Sequence, residues 1–195
     1  MTNNNSIFGL LIILIATLTF SSCKSEYDQL VKSELSSGLQ KESLIFNMFL
    51  GEKKSEFFSK CWELNKQQII SQGSGNKYAR FIEPIDSSNL NKLRKQIDFF
   101  GIFDQQQIMR GMEMIFQYLA WSPWNENVQG DALLEVLRQE FESRYPGNSF
   151  ISVEVKEANK TAYIKVDGNM QILMFQQGDK EVMVKMEDLN YKLKN

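Results

Sequence analysis

Two tryptophans near the middle of the chain are the residues whose chemistry is best suited to recognition. Trp121 and Trp124 flank a Ser-Pro pair in the sequence LAWSPWN, which is typical of a loop. Each indole offers a large apolar surface and one N–H donor, so the pair could stack on a sugar or hold a protein partner. The alternative is that both rings fill the junction between a sheet and a helix, since aromatic side chains are more often core than site. Trp121 and Trp124 are therefore the best candidate binding residues of the sequence, although the core role is the more frequent one for such rings.

Catalytic chemistry is restricted because the sequence contains no histidine. Ser–His and Cys–His nucleophilic arrangements and histidine-containing zinc sites are therefore excluded. Acidic residues are plentiful, but no spacing singles out a pair, so we predict no catalytic residues. A carboxylate-based hydrolase acting on envelope polymers stays open as the alternative function. It would need two acidic residues converging in one cleft, about 5 to 9.5 Å apart for glycosidase chemistry.

Two short motifs that could suggest a metal or phosphate loop are better explained as turn and linker. Asp167-Gly168-Asn169 lacks the spacing of a calcium loop and contains the Asp-Gly pair typical of a hairpin. Gly73-Ser74-Gly75 lacks the lysine of a phosphate loop. We therefore predict neither a cofactor nor a metal site. The 22 basic and 24 acidic residues balance to a net charge of −2, which also argues against a nucleic-acid partner.

The N-terminal sequence indicates export followed by lipid attachment. Residues 7–20 form a nearly unbroken apolar run, too short for a membrane core, which takes about 20 residues. Ser21, Ser22 and Cys23 follow, an order that resembles the lipobox of bacterial lipoproteins. The resemblance implies removal of residues 1–22 as a signal peptide and anchoring through acyl chains on Cys23. An ordinary secretory signal with an incidental cysteine is the alternative. The second cysteine, Cys61, is predicted to be a small buried hydrophobe.

The spacing of apolar side chains predicts the elements that must position these residues. Helical periodicity predicts helices at 26–39, 53–70 and 132–145. Apolar runs, alternation and turn residues predict strands at 43–50, 78–85, 94–103, 108–119, 150–156, 161–166, 170–175 and 180–186. A helix over 105–119 is the alternative to a hairpin there. The fold class is then α+β, an antiparallel sheet with two main helices packed on one face and a C-terminal β-meander.

The chain length predicts a single folded domain after the signal peptide. We place this domain at 43–195, preceded by a lipidated N-terminus and tethering helix at 23–42. The basic and acidic residues of the tethering segment offset one another, whereas a membrane-surface helix is usually rich in Lys and Arg. The tethering helix is therefore expected to dock on the domain.

Two parts of the chain carry a family resemblance: SGLQKESLIFNMFLGEKKSEFFSKCWELNKQ, and LAWSPWN together with KVDGNMQI. They resemble segments of lipoproteins of the Bacteroidota, chiefly flavobacteria. The resemblance implies a lipid-anchored α+β domain in the bacterial cell envelope, at the outer membrane, and it brings no activity with it. Together with the tryptophan loop, it favours a non-enzymatic binding or structural module. Such a module would contact the membrane through its lipid and hold an envelope protein or a glycan.

Overall fold

The computed structural model describes residues 26–155 and 160–194 of the chain. The signal peptide predicted at 1–22 and the acylation site predicted at Cys23 lie outside the described residues. The described helices are α1 (Glu26–Ser37), α2 (Lys54–Lys66), α3 (Gly130–Arg144) and the short α4 (Leu189–Lys192). Within these ranges, no helix combines the length and apolar character needed to cross a membrane.

Eight strands form one antiparallel sheet in the described part of the chain. They are β1 (Ile70–Gln72), β2 (Ala79–Ile82), β3 (Lys95–Phe103), β4 (Met109–Tyr118), β5 (Ile151–Val155), β6 (Lys160–Asp167), β7 (Met170–Gln177) and β8 (Glu181–Asp188). Their order across the sheet is β1-β2-β3-β4-β8-β7-β6-β5. Each half of the chain is therefore a meander, and the β4–β8 pair joins the two halves. The predicted α+β class with a C-terminal meander is confirmed.

The β3–β4 hairpin resolves the ambiguity of its sequence in favour of strands. The two strands pair along nearly their whole length, so the alternative helix over 105–119 is wrong. The turn between them is closed by Asp104, whose Oδ1 accepts a hydrogen bond from the backbone N–H of Ile108 at 2.9 Å. Its Oδ2 accepts from Arg110 Nε at 2.7 Å. Both carboxylate oxygens of Asp104 therefore accept hydrogen bonds across the turn, which stabilises the hairpin.

The hydrophobic core lies between the sheet and the two main helices, which pack on one face as predicted. On the sheet, Met114 stands between its cross-strand partners Phe99 and Val184, and all three are fully buried. The same core includes three residues of α3, namely Leu133, Leu137 and Phe141. From α2, the ring of Phe57 packs edge-on against Phe99, with ring centroids 6.5 Å apart. Each such burial contributes about 1.5–3 kcal/mol.

A side-chain hydrogen bond marks the start of helix α2, and a left-handed residue follows its end. At its start, Glu56 Oε2 accepts from the backbone N–H of Lys53 at 2.7 Å, which satisfies a donor beside the first turn. The helix stops at Lys66, short of the predicted boundary at 70, and Gln68 then adopts φ = 59°. The strand β1 therefore starts at Ile70, where the sequence had predicted the end of a helix.

The strand predicted over 43–50 is wrong. Within the described chain this segment forms a bridge between Ser43 and Phe49, and a short 3₁₀ turn, Ile45–Asn47, lies between them. Phe46 and Asn47 both have φ = 56°, a left-handed conformation that bulky side chains rarely adopt. Two successive positive φ angles reverse the chain direction. The apolar run therefore forms a buried segment, named here the strap (residues 40–50), that lies against the core.

The helix α1 docks on the other face of the sheet, as predicted for the tethering helix. Val166 on β6 faces away from the core, because its neighbour Lys165 is the cross-strand partner of the core residue Ile172. Val31 packs against Val166 and Leu189 in a second, smaller cluster. The helix α1 thus covers the face of β6 that is turned away from the main core.

A polar network also ties α1 to the sheet. Lys165 Nζ pairs with Asp167 Oδ2 at 2.7 Å and donates to the carbonyl of Asn148. Asp167 Oδ1 accepts from the backbone N–H of Asn148 at 2.7 Å. From α1, Glu34 accepts hydrogen bonds from the backbone N–H of Gly168 and from Asn148 Nδ2, both at 2.8 Å. These two bonds lower the pKa of Glu34, so the helix is held by a charged group as well as by apolar contact.

Candidate functional site

The two predicted site residues, Trp121 and Trp124, have different environments. Both lie in the connection from β4 to α3. The Trp124 side chain is 91% exposed, so the interpretation that both rings fill a core junction is wrong for this residue. Trp121 is partly buried, and its indole N–H is buried without a hydrogen-bond partner among the described residues. The structure therefore presents one indole outward and places the other inward.

The loop that carries Trp124 is well ordered by hydrogen bonds. The backbone N–H of Asn125 donates to the carbonyl of Ser122 at 3.3 Å, and Gln129 Nε2 donates to the carbonyl of Pro123 at 3.1 Å. Val128 is buried, which fixes the end of the loop on the core. Because the backbone around it is held, the exposed indole can contact a partner with little loss of loop entropy.

Further exposed apolar side chains lie on the neighbouring connection, from β2 to β3. Ile85 is 67% exposed and Leu90 is 78% exposed. The two connections lie at the same end of the sheet, because the backbone N–H of Leu119 donates to the carbonyl of Arg94 at 3.0 Å. We name these two connections, 83–94 and 119–129, the apolar end. The two connections thus bring three strongly exposed apolar side chains, Ile85, Leu90 and Trp124, to one end of the sheet.

A cleft of about 730 Å³ opens beside the apolar end, between the strap, the start of β3 and the second half of α3. Its wall is mixed: six lining residues are aromatic or aliphatic, among them Phe46, Phe81, Ile97, Phe116 and Phe141, and seven are polar or charged. The charged residues are Glu83, Lys92, Lys95, Glu140 and Arg144. The volume of this cleft lies in the range of small-molecule sites.

The most buried charge in this cleft is Lys95, at the first position of β3. Its side chain is 3% exposed, and its Nζ lies 2.8 Å from Glu140 Oε1 and 3.1 Å from Glu83 Oε1. Burial by itself would lower the pKa of Lys95, but the hydrogen bonds and charges of Glu140 and Glu83 outweigh it, so the pKa is raised. Lys95 is therefore a protonated, doubly paired ammonium rather than a nucleophile.

Glu83 and Glu140 form the acidic pair of the cleft. Since both contact one nitrogen, their Oε1 atoms can be no farther apart than the two contact distances taken together. This convergence is the geometry that a carboxylate-based hydrolase needs. Both carboxylates already pair with the same buried ammonium.

A second cleft of about 480 Å³ lies on the other side of the strap. It shares Ile45, Phe46 and Arg144 with the first cleft, and we name the two adjoining clefts, with the strap between them, the groove. The groove also contains Tyr145, whose hydroxyl is buried without a hydrogen-bond partner in the described ranges. Burial raises the pKa of Tyr145 to about 12, so the phenol stays neutral.

Two exposed cations remain available at this groove. Neither Lys92 nor Arg144 forms an ion pair with any described residue, whereas the buried Lys95 is paired twice. Arg144 lies at the junction of the two clefts. A guanidinium can bind a carboxylate or a phosphate through two parallel hydrogen bonds.

The Lys95 site was not predicted from the sequence, although one signal was present. Lys95, Ile97 and Phe99 alternate on one side of β3, so the lysine occupies an inward-facing position. Its partners, Glu83 and Glu140, come from two other elements and are distant in sequence. Their convergence depends on the placement of α3 over β3, which no local pattern predicts.

Cys61 on α2 is partly buried against the core. Burial raises the pKa of its thiol to about 11, which leaves very little thiolate at neutral pH. This environment agrees with a structural role for Cys61 and gives no reactive thiol.

Comparison of the chain with protein-family models, with curated proteins and with solved structures finds no match. The residues of the apolar end and of the groove are therefore the basis on which a function can be assigned.

Proposed function

We propose that the chain is a lipid-anchored protein of the bacterial cell envelope, attached through acyl chains on Cys23, and that it acts as a non-enzymatic binding or structural module. Support comes from the apolar run 7–20 followed by two serines and a cysteine, and from the lipoprotein resemblance. The docking of α1 adds to this support. A helix that begins three residues after Cys23 and packs on the sheet would hold the domain close to the outer membrane.

The observation that carries the binding role is the 91% exposure of Trp124 on a hydrogen-bonded loop. A tryptophan exposed to this degree leaves a large apolar area in water, and burial in a partner would recover that area. The neighbouring exposed side chains, Ile85 and Leu90, are aliphatic. Aliphatic neighbours favour a protein partner, since a glycan site would surround the indole with hydrogen-bonding groups.

Site-specific photo-crosslinking in cells tests this role. A photoreactive residue at position 124 and one at position 90 are expected to capture the same envelope protein. The matched control is position 62 on α2, where Trp62 is also exposed, at 64%, but belongs to neither connection of the apolar end. Capture of a glycan would favour the other partner class. The proposal fails if positions 124 and 90 give no product or the same products as position 62.

The anchor has a separate test. Cys23→Ser is expected to abolish incorporation of a labelled fatty acid and to release the protein from the membrane fraction. Cys61→Ser is the matched control and is expected to change neither result. Persistent lipid labelling in the Cys23→Ser variant would contradict the proposed attachment site.

A carboxylate-based hydrolase is the second candidate, and the convergence of Glu83 and Glu140 on Lys95 favours it over other enzyme classes. Assay of the purified chain on envelope polysaccharides decides between the two. Hydrolysis that is lost in Glu140→Gln but kept in Glu135→Gln, an exposed residue of the same helix, would establish the enzyme. If the wild-type chain gives no product, the result favours the binding module over the hydrolase.

A further inference from the structure

We propose that the groove on both sides of the strap binds a single-chain amphiphile with an anionic head, with the head at Arg144 and the apolar chain in the first cleft. This site adjoins the apolar end, which contributes Glu83 and Lys92 to its lining, but it does not include Trp124 and requires neither the lipid anchor nor a protein partner. The inference is drawn from the groove's lining, its unpaired cations and the backbone of the strap.

The aromatic side of the first cleft suits an apolar chain. Ring surfaces of Phe46, Phe81 and Phe116 line this side, and a volume of about 730 Å³ is ample for one extended acyl chain. Phe46 stacks on Phe99 with ring centroids 4.6 Å apart, so this wall is supported by the core. An acyl chain would displace water from the aromatic side, while the polar lining residues stay beside the head group.

The charges select for an anion. Lys95 is already bound by Glu140 and Glu83, so it offers no charge to a ligand. Arg144 and Lys92 have no ion-pair partner among the described residues, and both line the first cleft. A carboxylate or a phosphate monoester matches the fork of the Arg144 guanidinium. A fatty acid and a lysophospholipid share this chemistry.

The backbone of the strap supports a binding role for this region. Phe46 and Asn47 hold successive left-handed conformations, which asparagine adopts readily but a bulky phenylalanine rarely does. Strain of this kind is found at ligand clamps, where it places one side chain accurately. Here it places the ring of Phe46 at the boundary between the two clefts, next to the proposed head position.

Isothermal titration calorimetry of the purified full chain tests the proposal with decanoate, decyl phosphate and decanol, each below its micelle-forming concentration. Both anions are expected to bind saturably, and decanol at least tenfold more weakly. Tighter binding of decanoate would indicate a fatty acid, and tighter binding of decyl phosphate a lysophospholipid. Absence of saturable binding, or equal affinity for decanol and decanoate, would overturn the proposal.

Variants locate the site. Arg144→Gln is expected to weaken decanoate binding about tenfold, to the level of decanol, because the loss of one charge-assisted hydrogen-bond pair changes the affinity by about that factor. Arg138→Gln on the same helix removes a cation that does not line the groove, and it should leave the affinity unchanged. Phe46→Gly relieves the positive φ and removes the ring, so all three ligands should bind more weakly. An Arg144→Gln variant that binds decanoate with wild-type affinity would refute the assignment, as would loss of binding in Trp124→Ala.

Discussion

Replacement of Asp167 by asparagine is expected to destabilise the domain by about 3 kcal/mol, the lower end of the range for breaking a buried ion pair. The Lys165 side chain is 1% exposed, and its Nζ lies 2.7 Å from Asp167 Oδ2. Asparagine keeps the size of the side chain and can still accept from the backbone N–H of Asn148. The change therefore removes the charge alone. The carbonyl of Asn148 still accepts from the ammonium, which keeps the loss near the lower limit.

Urea unfolding at pH 7, followed by circular dichroism, measures this loss as a change in the free energy of unfolding. For a domain of this size, the melting temperature should fall by about 6–12 °C. Lys165→Met, combined with Asp167→Asn, removes both charges. The double variant should be more stable than Asp167→Asn alone, because no unpaired ammonium remains buried.

Two results would refute this reasoning. The first is a loss below about 1 kcal/mol for Asp167→Asn, which would mean that water reaches the Lys165 ammonium. The second is a double variant whose loss equals the sum of the two single losses, since independent sites add in this way.

Three further predictions concern other parts of the fold. Burial tends to raise the pKa of Glu113, but hydrogen bonds from Lys77 and Tyr78 outweigh it and lower this pKa to about 2. The stability that Glu113 contributes should therefore be present above pH 4.5 and be lost as the pH falls towards 2. In urea unfolding, the free energies of unfolding of Glu113→Gln and wild type should differ at pH 7 and converge at low pH. Gly168→Ala should lower the free energy of unfolding in urea by about 2 kcal/mol, because a Cβ there would clash with the carbonyl oxygen of Leu39. Gly178→Ala, also at positive φ but in open space, should lower it by less, and equal losses would contradict this reasoning. Alkylation of Cys61 at pH 8, followed on its peptide by mass spectrometry, should be about hundredfold slower in the folded than in the unfolded chain, given a pKa of about 11; similar rates would contradict its burial.

The sequence predicted the C-terminal strands well because their information is local. Tyr163, Lys165 and Asp167 alternate with Ile164 and Val166, and a tight Asp-Gly turn follows. The strand β6 ends at Asp167 and β7 begins at Met170, at the turn predicted from this sequence. The alternation of side chains along the strands and the residue types of the turn together determine such a hairpin.

The strap and the Lys95 site could not be predicted in the same way. SLIFNMFL has the composition of a strand, and only the left-handed backbone at Phe46 and Asn47 turns it into a buried reversal. Tertiary packing overrides local preference there. The tryptophan loop was predicted as a loop, but the choice between an outward and an inward ring depended on the packing of Val128 and the hydrogen bond from Gln129.

The strand order has a consequence for how the chain folds and associates. Strands β1 to β4 pair with sequence neighbours, as do β5 to β8, so each half can form through short loops. The seam between β4 and β8 joins distant residues, such as Gln117 and Glu181, so its closure has a larger entropic cost than the pairing of sequence neighbours. Two chains that meet before this closure can exchange their C-terminal meanders across the 119–129 connection and keep every strand pair. The seam is thus the place where refolding at high concentration would yield domain-swapped dimers.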